Sequence, residues 1–302
     1  MYVTGVTPRG YCKGVVRAIN IVKNVEDRPL YVLGMIVHNE YIVNALKDLG
    51  IVTIEDTHKT RLELLDEVNE GTVVITAHGA GDDVTEKALA KGLKVIDASC
   101  LDVIKTHDLI KGHLKGGKEI LYIGKKHHPE AEGALAISNK VHLIESIEDI
   151  KALDKSQAYV LTNQTTMSLY DVYHLCEAAK EILPNLEIEQ EICNATKIRQ
   201  EAISHLDDDI DLVIIVGDPR SNNTGKLARI AKQQAHKETK MIESIEDLDI
   251  NWLNGKKHVA VSSGASTPTS LTNQIIDFIK QYEEDDPSTH IKPKIDHSKI
   301  LR

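Results

Sequence analysis

The chain has 302 residues, of which 41% are hydrophobic and only 4% aromatic, and its formal net charge is −10. This length predicts a large buried core and more than one lobe, and the negative charge argues against a general nucleic-acid binder, which needs a basic face. No apolar run approaches the ~20 residues that span a bilayer, and no basic-then-apolar leader precedes the first apolar run. We therefore expect a cytoplasmic protein with no membrane partner.

Short apolar segments alternate with amphipathic segments along most of the chain. The predicted strands are, in order, MYVTGV, PLYVLG, TVVITA, KVIDAS, EILYIG, VHLI, AYVLT, LVIIVG, MIES and HVAVSS. The helical patterns between them include VRAINIVKNV, YIVNALKDLG, VTEKALAKG, DVIKTHDLIKGHL, MSLYDVYHLCEAAKEIL and SLTNQIIDFIKQY. This alternation predicts an α/β fold built from βα units and parallel sheets.

Three of the four cysteines mark an internal repeat. Cys100 lies 88 residues after Cys12, and Cys193 lies 93 residues after Cys100. Each follows a strand-like run and precedes a helical one. An Ile-Glu pair recurs in phase with them, 42, 44 and 49 residues after the preceding cysteine. The repeat predicts three similar α/β lobes.

The repeat also suggests where the lobes begin and end. We predict lobes over residues 1–99 (including the N-terminal strand), 100–192 and 193–282. From Glu283 onward the sequence EEDDPSTHIKPKIDHSKILR is polar and contains proline. It predicts a tail over 283–302 that crosses the surface or stays loose.

Polar residues collect directly after the predicted strands. In open α/β sheets, ligands bind outside the carboxyl ends of the strands. If the lobes face one another, these polar loops converge on a single cleft. The candidate binding residues are His38, His78, His128, Glu130, Thr165, Ser221, Asn222, Asn223 and Ser266.

The cysteines are too widely spaced for a disulfide framework in a cytosolic chain. Cys176 lies inside a helical pattern and is predicted to be a buried apolar residue. Cys12, Cys100 and Cys193 share a strand-end position, and three thiolates suit an iron–sulfur cluster or zinc. The close CxxC pair typical of zinc is missing. Three cysteines on a four-iron cluster leave one iron open as a Lewis acid.

The remaining candidates suit an anion and a proton transfer. Imidazole, hydroxyl and amide groups, together with backbone N–H groups at helix N-termini, can bind a phosphate or diphosphate. No P-loop motif is present. Glu130, two residues after His128 and beside a proline, is a candidate general acid. Thr165 can orient a substrate hydroxyl, or it can cap the helix that follows.

Nine motifs in order give the segment from Tyr2 to Tyr282 a specific resemblance: PRGYCKGVVRAI, VHNEYIV, TAHGAG, IDASC, HHPEAEG, NQTTMS, ICNATKIRQEAI, SNNTGKL and GASTP. They resemble the 4-hydroxy-3-methylbut-2-enyl diphosphate reductases, the LytB/IspH family. The resemblance implies a monomer with three α/β lobes in a pseudo-threefold arrangement around one 4Fe–4S cluster, held by Cys12, Cys100 and Cys193.

The resemblance also assigns roles to the other candidates. Glu130 would be the proton source, with His128 and Thr165 beside it in the catalytic group, and Thr165 near the substrate hydroxyl. The implied diphosphate ligands are His38, His78, His128, Ser221, Asn222, Asn223 and Ser266.

The implied reaction is a reductive dehydroxylation, the last step of the methylerythritol phosphate route to isoprenoids. The substrate hydroxyl binds the open iron, two electrons and protons are delivered, and water leaves. The products are isopentenyl and dimethylallyl diphosphate. A ferredoxin or flavodoxin type carrier supplies the electrons to this iron–sulfur oxidoreductase.

Four positions depart from the residues frequent in the family. Tyr11, Lys13 and Leu101 flank predicted cluster ligands, and Asn222 replaces a serine in the phosphate loop. None of these changes removes a ligand or the acid. Two other functions stay open: a non-redox hydro-lyase with an open-iron cluster, which needs no reductant, and a metal-stabilised binding protein for a small anion.

Overall fold

The computed structural model describes residues 1–302 and contains three four-stranded sheets in which every strand pair is parallel. The strands are β1 (Tyr2–Gly5), β2 (Leu30–Leu33), β3 (Ile51–Ile54), β4 (Thr72–Ile75), β5 (Lys94–Asp97), β6 (Glu119–Ile123), β7 (Val141–Ile144), β8 (Tyr159–Asn163), β9 (Leu186–Ile188), β10 (Leu212–Val216), β11 (Thr239–Ile242) and β12 (His258–Ser263). The α/β class with small parallel sheets is confirmed.

Helices connect the strands. They are α1 (Lys13–Lys23), α2 (Glu40–Lys47), α3 (Arg61–Leu64), α4 (Asp82–Ala90), α5 (Leu101–Lys115), α6 (Pro129–Leu135), α7 (Ile147–Lys151), α8 (Leu169–Ile182), α9 (Asn194–Ser204), α10 (Asn222–Gln233) and α11 (Thr269–Gln281). Short 3₁₀ turns lie at Leu65–Glu67, Ile245–Asp247, Ile250–Leu253, Pro287–His290 and His297–Lys299.

Two strands, β3 and β9, were missing from the sequence prediction. Both lie at the edge of their sheets. β9 has three residues and none of them is fully buried, and β3 buries only its first residue. Edge strands need no continuous apolar run, because one side of the strand has no neighbour in the sheet. Their sequence signal is correspondingly weak.

The strand orders of the three sheets show the same internal repeat as the spacing of the three cysteines. The orders are β1-β12-β10-β11, β3-β2-β4-β5 and β7-β6-β8-β9. When the last two orders are reversed, β5 and β9 take the place that β1 has in the first sheet. Cys12, Cys100 and Cys193 are the cysteines that follow these three strands in the chain. The three Ile-Glu markers begin at the last residues of β3, β7 and β11, at the opposite edges.

The N-terminal strand pairs outside the part of the chain to which we assigned it. β1 pairs with β12, from Tyr2 opposite His258 to Gly5 opposite Val261. It therefore lies in the sheet of the C-terminal third, whereas we predicted it within the lobe 1–99. The lobe boundaries themselves stay a prediction.

The chain forms two compact units. The first, which we call unit 1, comprises residues 1–13, 38–45 and 194–302, and the second, unit 2, comprises residues 14–37 and 46–193. Unit 1 contains the sheet with β1, and unit 2 contains the other two sheets. No helix combines the length and the apolar character needed to cross a membrane.

The central strands are buried on both faces, as expected for parallel sheets covered by helices. In unit 1, every residue of β10 is buried. Val213 and Ile215 pack with α10 residues such as Leu227, and the alternate residues, among them Ile214, pack with α11 residues such as Ile275. This two-sided packing holds the carboxyl ends of the strands in place, where the candidate site residues follow.

The C-terminal tail packs against unit 1, which is the first of the two alternatives that the sequence left open. It lies over α11, where the Gln274 Nε2 atom donates a 2.8 Å hydrogen bond to the Lys294 carbonyl oxygen. Ile300 is completely buried, and its carbonyl accepts a hydrogen bond from the Tyr11 hydroxyl at 2.5 Å. The tail therefore crosses the surface of unit 1 and ends against the segment that precedes Cys12.

Candidate functional site

The cysteines differ in their surroundings as the sequence predicted. Cys176 lies in α8 within an apolar core, and burial raises the pKa of its thiol. Cys12, Cys100 and Cys193 form no disulfide and are partly exposed, and each lies directly before the first residue of a helix. The chemistry of these three side chains therefore suits a metal or cluster that needs thiolate ligands.

The backbone before Cys12 is held in a conformation that needs glycine. Gly10 has φ +73°, and a Cβ atom there would lie 2.2 Å from the Thr269 Oγ1 atom. The Gly10 N–H donates to the Ser263 hydroxyl at 2.7 Å, and the Cys12 N–H donates to the Ala265 carbonyl at 3.0 Å. These contacts hold Cys12 against the loop that follows β12.

Unit 1 also brings together several of the predicted diphosphate ligands. The Ser266 hydroxyl donates to the His38 carbonyl oxygen at 3.1 Å and lies 3.4 Å from the Ser221 hydroxyl. Ser221 is the N-cap of α10, so Asn222 and Asn223 occupy the first turn of that helix. Three segments distant in sequence therefore meet at one helix N-terminus.

Asn223 is the strongest sign of a ligand in this group. Only 4% of the residue is exposed, and neither its amide nitrogen nor its amide oxygen has a hydrogen-bond partner. A buried amide without partners is costly unless a ligand or water satisfies it. Together with the backbone N–H groups at the start of α10, it suits an anionic group.

Asp218 and Arg220 form a charged pair beside this helix that was not predicted from the sequence. Burial would raise the pKa of Asp218, but hydrogen bonds from Arg220 and the nearby His38 hold that pKa below its usual value. Arg220 donates to both Asp218 oxygens, at 2.9 and 2.6 Å, and to Glu40 at 2.8 Å. The sequence signal for Asp218 and Arg220 was their position, because both residues come directly after β10. Because carboxylates already engage Arg220, the predicted anion ligands of unit 1 are mainly neutral groups.

Unit 2 holds the candidate acid. Glu130 lies in the first turn of α6 and is 2% exposed. One carboxylate oxygen accepts a 2.6 Å hydrogen bond from the Thr165 N–H, and the other lies 3.1 Å from the Thr165 hydroxyl. Burial raises the pKa of Glu130 to about 7, against the hydrogen bonds that lower it. The side chain can therefore hold a proton near neutral pH.

Two predicted histidines lie in this same part of unit 2. His128 caps α6, and its Nδ1 atom accepts a 3.1 Å hydrogen bond from the Glu130 N–H. This contact places the proton of a neutral His128 ring on Nε2. The rings of His78 and His128 meet edge to face, with centroids 5.6 Å apart. Unit 2 thus joins His78, His128, Glu130 and Thr165.

The acid is connected to one of the cysteines through Thr165. The Cys193 N–H donates to the Thr165 carbonyl oxygen at 3.1 Å, while the Thr165 N–H binds Glu130. One residue therefore bonds both a candidate metal ligand and the candidate acid. A proton donor held this way keeps a fixed distance from the backbone of Cys193.

Tyr122, on the buried strand β6, is a neighbour of Glu130 that the sequence analysis did not single out. Burial and the negative charge of Glu130 raise the pKa of its hydroxyl well above the ordinary value. A tyrosine in an apolar strand gives no signal of such a neighbour, because only the packing of α6 on β6 places the carboxylate there.

One other group of side chains offers metal-binding atoms close together. The ligand atoms of His113, Glu187 and Glu189 lie within 4.8 Å of one another. His113 already binds Glu189 at 2.9 Å, and Lys118 binds Glu187 at 2.6 Å. A hydrogen bond and a lysine ion pair on a partly exposed surface account for this group.

Comparison with known proteins places the chain in a family. Residues 3–280 match the family described as LytB protein. The chain belongs to the LytB family. This confirms the resemblance that the nine sequence motifs carried.

Relatives in the LytB family match the chain over its full length. A 4-hydroxy-3-methylbut-2-enyl diphosphate reductase of Anoxybacillus flavithermus is 45% identical and aligns with 100% of this chain and 98% of its own. The reductase of the same name from Brevibacillus brevis is 47% identical, with 100% and 99% coverage.

Solved structures of the same kind share the fold. The E-1-hydroxy-2-methyl-but-2-enyl-4-diphosphate reductase from Plasmodium falciparum has a TM-score of 0.85 and 30% identity, and covers 94% of this chain and 89% of its own. A second solved structure, of (E)-4-hydroxy-3-methyl-but-2-enyl diphosphate reductase, has a TM-score of 0.67 and 31% identity, and covers 93% of this chain and 100% of its own.

Membership of the LytB family implies an iron–sulfur cofactor. The side chains present fit such a group, because Cys12, Cys100 and Cys193 are partly exposed thiols outside any disulfide, each directly before a helix. Cys176 does not fit, since it is buried in the core of unit 2. The three candidate donors share one topological position, after three equivalent strands.

Proposed function

We propose that the chain is a cytoplasmic, monomeric oxidoreductase that converts 4-hydroxy-3-methylbut-2-enyl diphosphate to isopentenyl and dimethylallyl diphosphate. The reaction consumes two electrons and two protons, breaks the allylic C–O bond and releases the oxygen as water. This is the last step of the methylerythritol phosphate pathway. The electrons come from a ferredoxin or flavodoxin type carrier.

One observation carries the proposal. Glu130 is buried, its pKa is near neutrality, and Thr165 holds both of its carboxylate oxygens. In a chain whose full-length relatives are reductases of this name, such a carboxyl group supports the transfer of a proton to a leaving hydroxyl. The hydroxyl of Thr165 supports the orientation of the substrate oxygen toward it.

Cys12, Cys100 and Cys193 are the proposed ligands of one 4Fe–4S cluster. When bound, this cluster would supply electrons and a Lewis-acidic iron without a protein ligand. The chain itself contributes the thiolates, the proton of Glu130 and the groups that bind the diphosphate.

The diphosphate is assigned to groups that are mostly neutral donors. In unit 1 these are the residues at the start of α10 and the side chains near them: His38, Ser221, Asn222, Asn223 and Ser266. In unit 2 we assign His78 and His128. The unpartnered amide of Asn223 supports this assignment, and the N-terminal end of α10 favours a negative charge. A site of this kind is compatible with an acidic chain.

Anaerobic reconstitution followed by a turnover assay tests the proposal. The reconstituted chain should hold about four irons and form both products only when a chemical reductant such as dithionite is present. Turnover without reductant would favour the hydro-lyase, and a chain that binds only zinc would favour the binding protein. Cys176→Ser is the matched control and should keep the iron, whereas Cys12→Ser should lose it.

A further inference from the structure

The helix that follows each proposed cluster cysteine carries a basic residue that binds the segment before another of these cysteines. Arg17 lies on α1, five residues after Cys12. Its Nη1 atom donates a 2.7 Å hydrogen bond to the carbonyl oxygen of Ser99, the residue directly before Cys100. The helix after one cysteine is therefore tied to the backbone before the next one in the chain.

The same relation recurs on α5. Lys105 lies five residues after Cys100. Its Nζ atom binds both carboxylate oxygens of Glu191, at 3.0 and 2.9 Å. Glu191 lies two residues before Cys193 and only 13% of its side chain is exposed, while 68% of the Lys105 side chain is exposed.

The third contact closes the series. Arg199 lies on α9, six residues after Cys193. Its Nη2 atom donates a 2.8 Å hydrogen bond to the carbonyl oxygen of Gly10, two residues before Cys12, and its Nη1 atom donates to Ala195 at 2.8 Å. Arg199 is only 3% exposed. Each of the three cysteine segments thus receives one cationic donor from the helix that follows another cysteine.

The two arginine contacts have a common physical meaning. Hydrogen bonds from a charged donor are stronger than neutral ones, and a guanidinium stays charged at any physiological pH. Burying that charge is costly unless the surroundings compensate for it. Main-chain carbonyls compensate in part, and the thiolates of Cys100 and Cys12, one and two residues after the two acceptors, would add negative charge nearby.

We propose that Arg17 and Arg199 are positioning residues for the three-thiolate site. Each fixes the backbone that presents one cysteine, and each brings a positive charge toward an anionic cluster. The inference rests on the proposed function, because it takes the three cysteines as cluster ligands. The three contacts share no donor or acceptor, so each can be removed alone.

Iron release tests the positioning role. After anaerobic reconstitution, Arg17→Met and Arg199→Met should lose iron to a ferrous chelator on the order of ten times faster than the unmodified chain, as is usual for residues that support metal ligands. Lys105→Met should change the rate by less than about threefold, because Lys105 is largely exposed and binds the Glu191 side chain rather than a backbone carbonyl. Circular dichroism spectra should show that each variant is folded.

Arg61 provides a matched control. It is also a buried arginine, at 6% exposure, but it pairs with Glu132 rather than with a cysteine segment. Arg61→Met should lower the unfolding midpoint and leave the rate of iron release unchanged. Faster iron release from this variant as well would show that general destabilisation explains the result, and would overturn the proposal.

The reduction midpoint gives a second readout that packing alone would not move. Arg199→Met should shift the midpoint of the reconstituted protein to a more negative value, because a nearby cation favours the added electron. Arg199→Lys keeps the charge and should restore the midpoint. If Arg199→Met does not fold, the rate of iron release from Arg199→Lys provides the test of the positioning role.

The outcomes separate the two proposals. An unmodified chain that holds no iron after reconstitution would overturn the proposed function and, with it, this inference. If the unmodified chain holds its iron, while Arg17→Met and the Arg199 variants release it at the same rate and keep the same midpoint, the inference alone is wrong.

Discussion

The raised pKa of Glu130 makes a quantitative prediction about stability. The carboxyl group has a pKa of about 7 in the folded chain against an ordinary value of 4.5. The folded state therefore binds this proton more tightly than the unfolded state, so the contribution of Glu130 to stability is fully present below pH 4.5 and is lost as the pH rises through 7. A difference of about 2.5 units corresponds to about 3 kcal/mol.

Glu130→Gln removes the ionisation while keeping an oxygen that can accept from the Thr165 N–H. We expect the variant to have nearly the same free energy of unfolding as the unmodified chain near pH 4.5. By pH 8 we expect it to be more stable by up to about 3 kcal/mol. Urea unfolding of the cluster-free proteins across this pH range measures the difference, since a bound cofactor would add its own stabilisation.

A difference that stays constant from pH 4.5 to 8 would refute the reasoning, because only a proton bound differently by the two states makes it depend on pH. Glu148→Gln is the control. The side chain of Glu148 is 78% exposed, so its replacement should change the free energy of unfolding by less than about 0.5 kcal/mol at every pH.

Three further predictions concern turnover and folding. The kcat of the reconstituted chain should fall as the pH rises above about 7, where Glu130 loses its proton, and Glu130→Gln should lower kcat on the order of 10²-fold while iron content stays the same; a pH-independent kcat would contradict the assignment. Asn223→Ala should raise KM for the diphosphate substrate about tenfold with a smaller change in kcat, because the diphosphate loses a hydrogen bond from a buried amide. An unchanged KM in steady-state assays would show that Asn223 does not bind the substrate. Gly10→Ala should destabilise the chain by more than about 1 kcal/mol and reduce the iron bound after reconstitution, because alanine disfavours the positive φ and its Cβ atom would meet Thr269. Denaturant unfolding and iron analysis measure the two effects. An unchanged free energy of unfolding together with unchanged iron content would show that this position does not require glycine.

The amino-acid sequence by itself determined the α/β class, ten of the twelve strands and the family. These features depend on local periodicity and on short motifs, which are present in the chain before it folds. The sequence also separated Cys176 from the other cysteines, because a cysteine inside a helical apolar pattern packs into a core.

Only the tertiary structure decided which distant segments meet. β1 pairs with β12 across almost the whole chain, and parallel pairing is set by packing rather than by any signal within the strand. Thr165 reaches Glu130 across 35 positions, and Arg199 reaches Gly10 across 189. The pKa of Glu130 rises because folding removes water from the carboxyl group. The sequence therefore identified the candidate acid, whereas its pKa depends on burial in the folded chain.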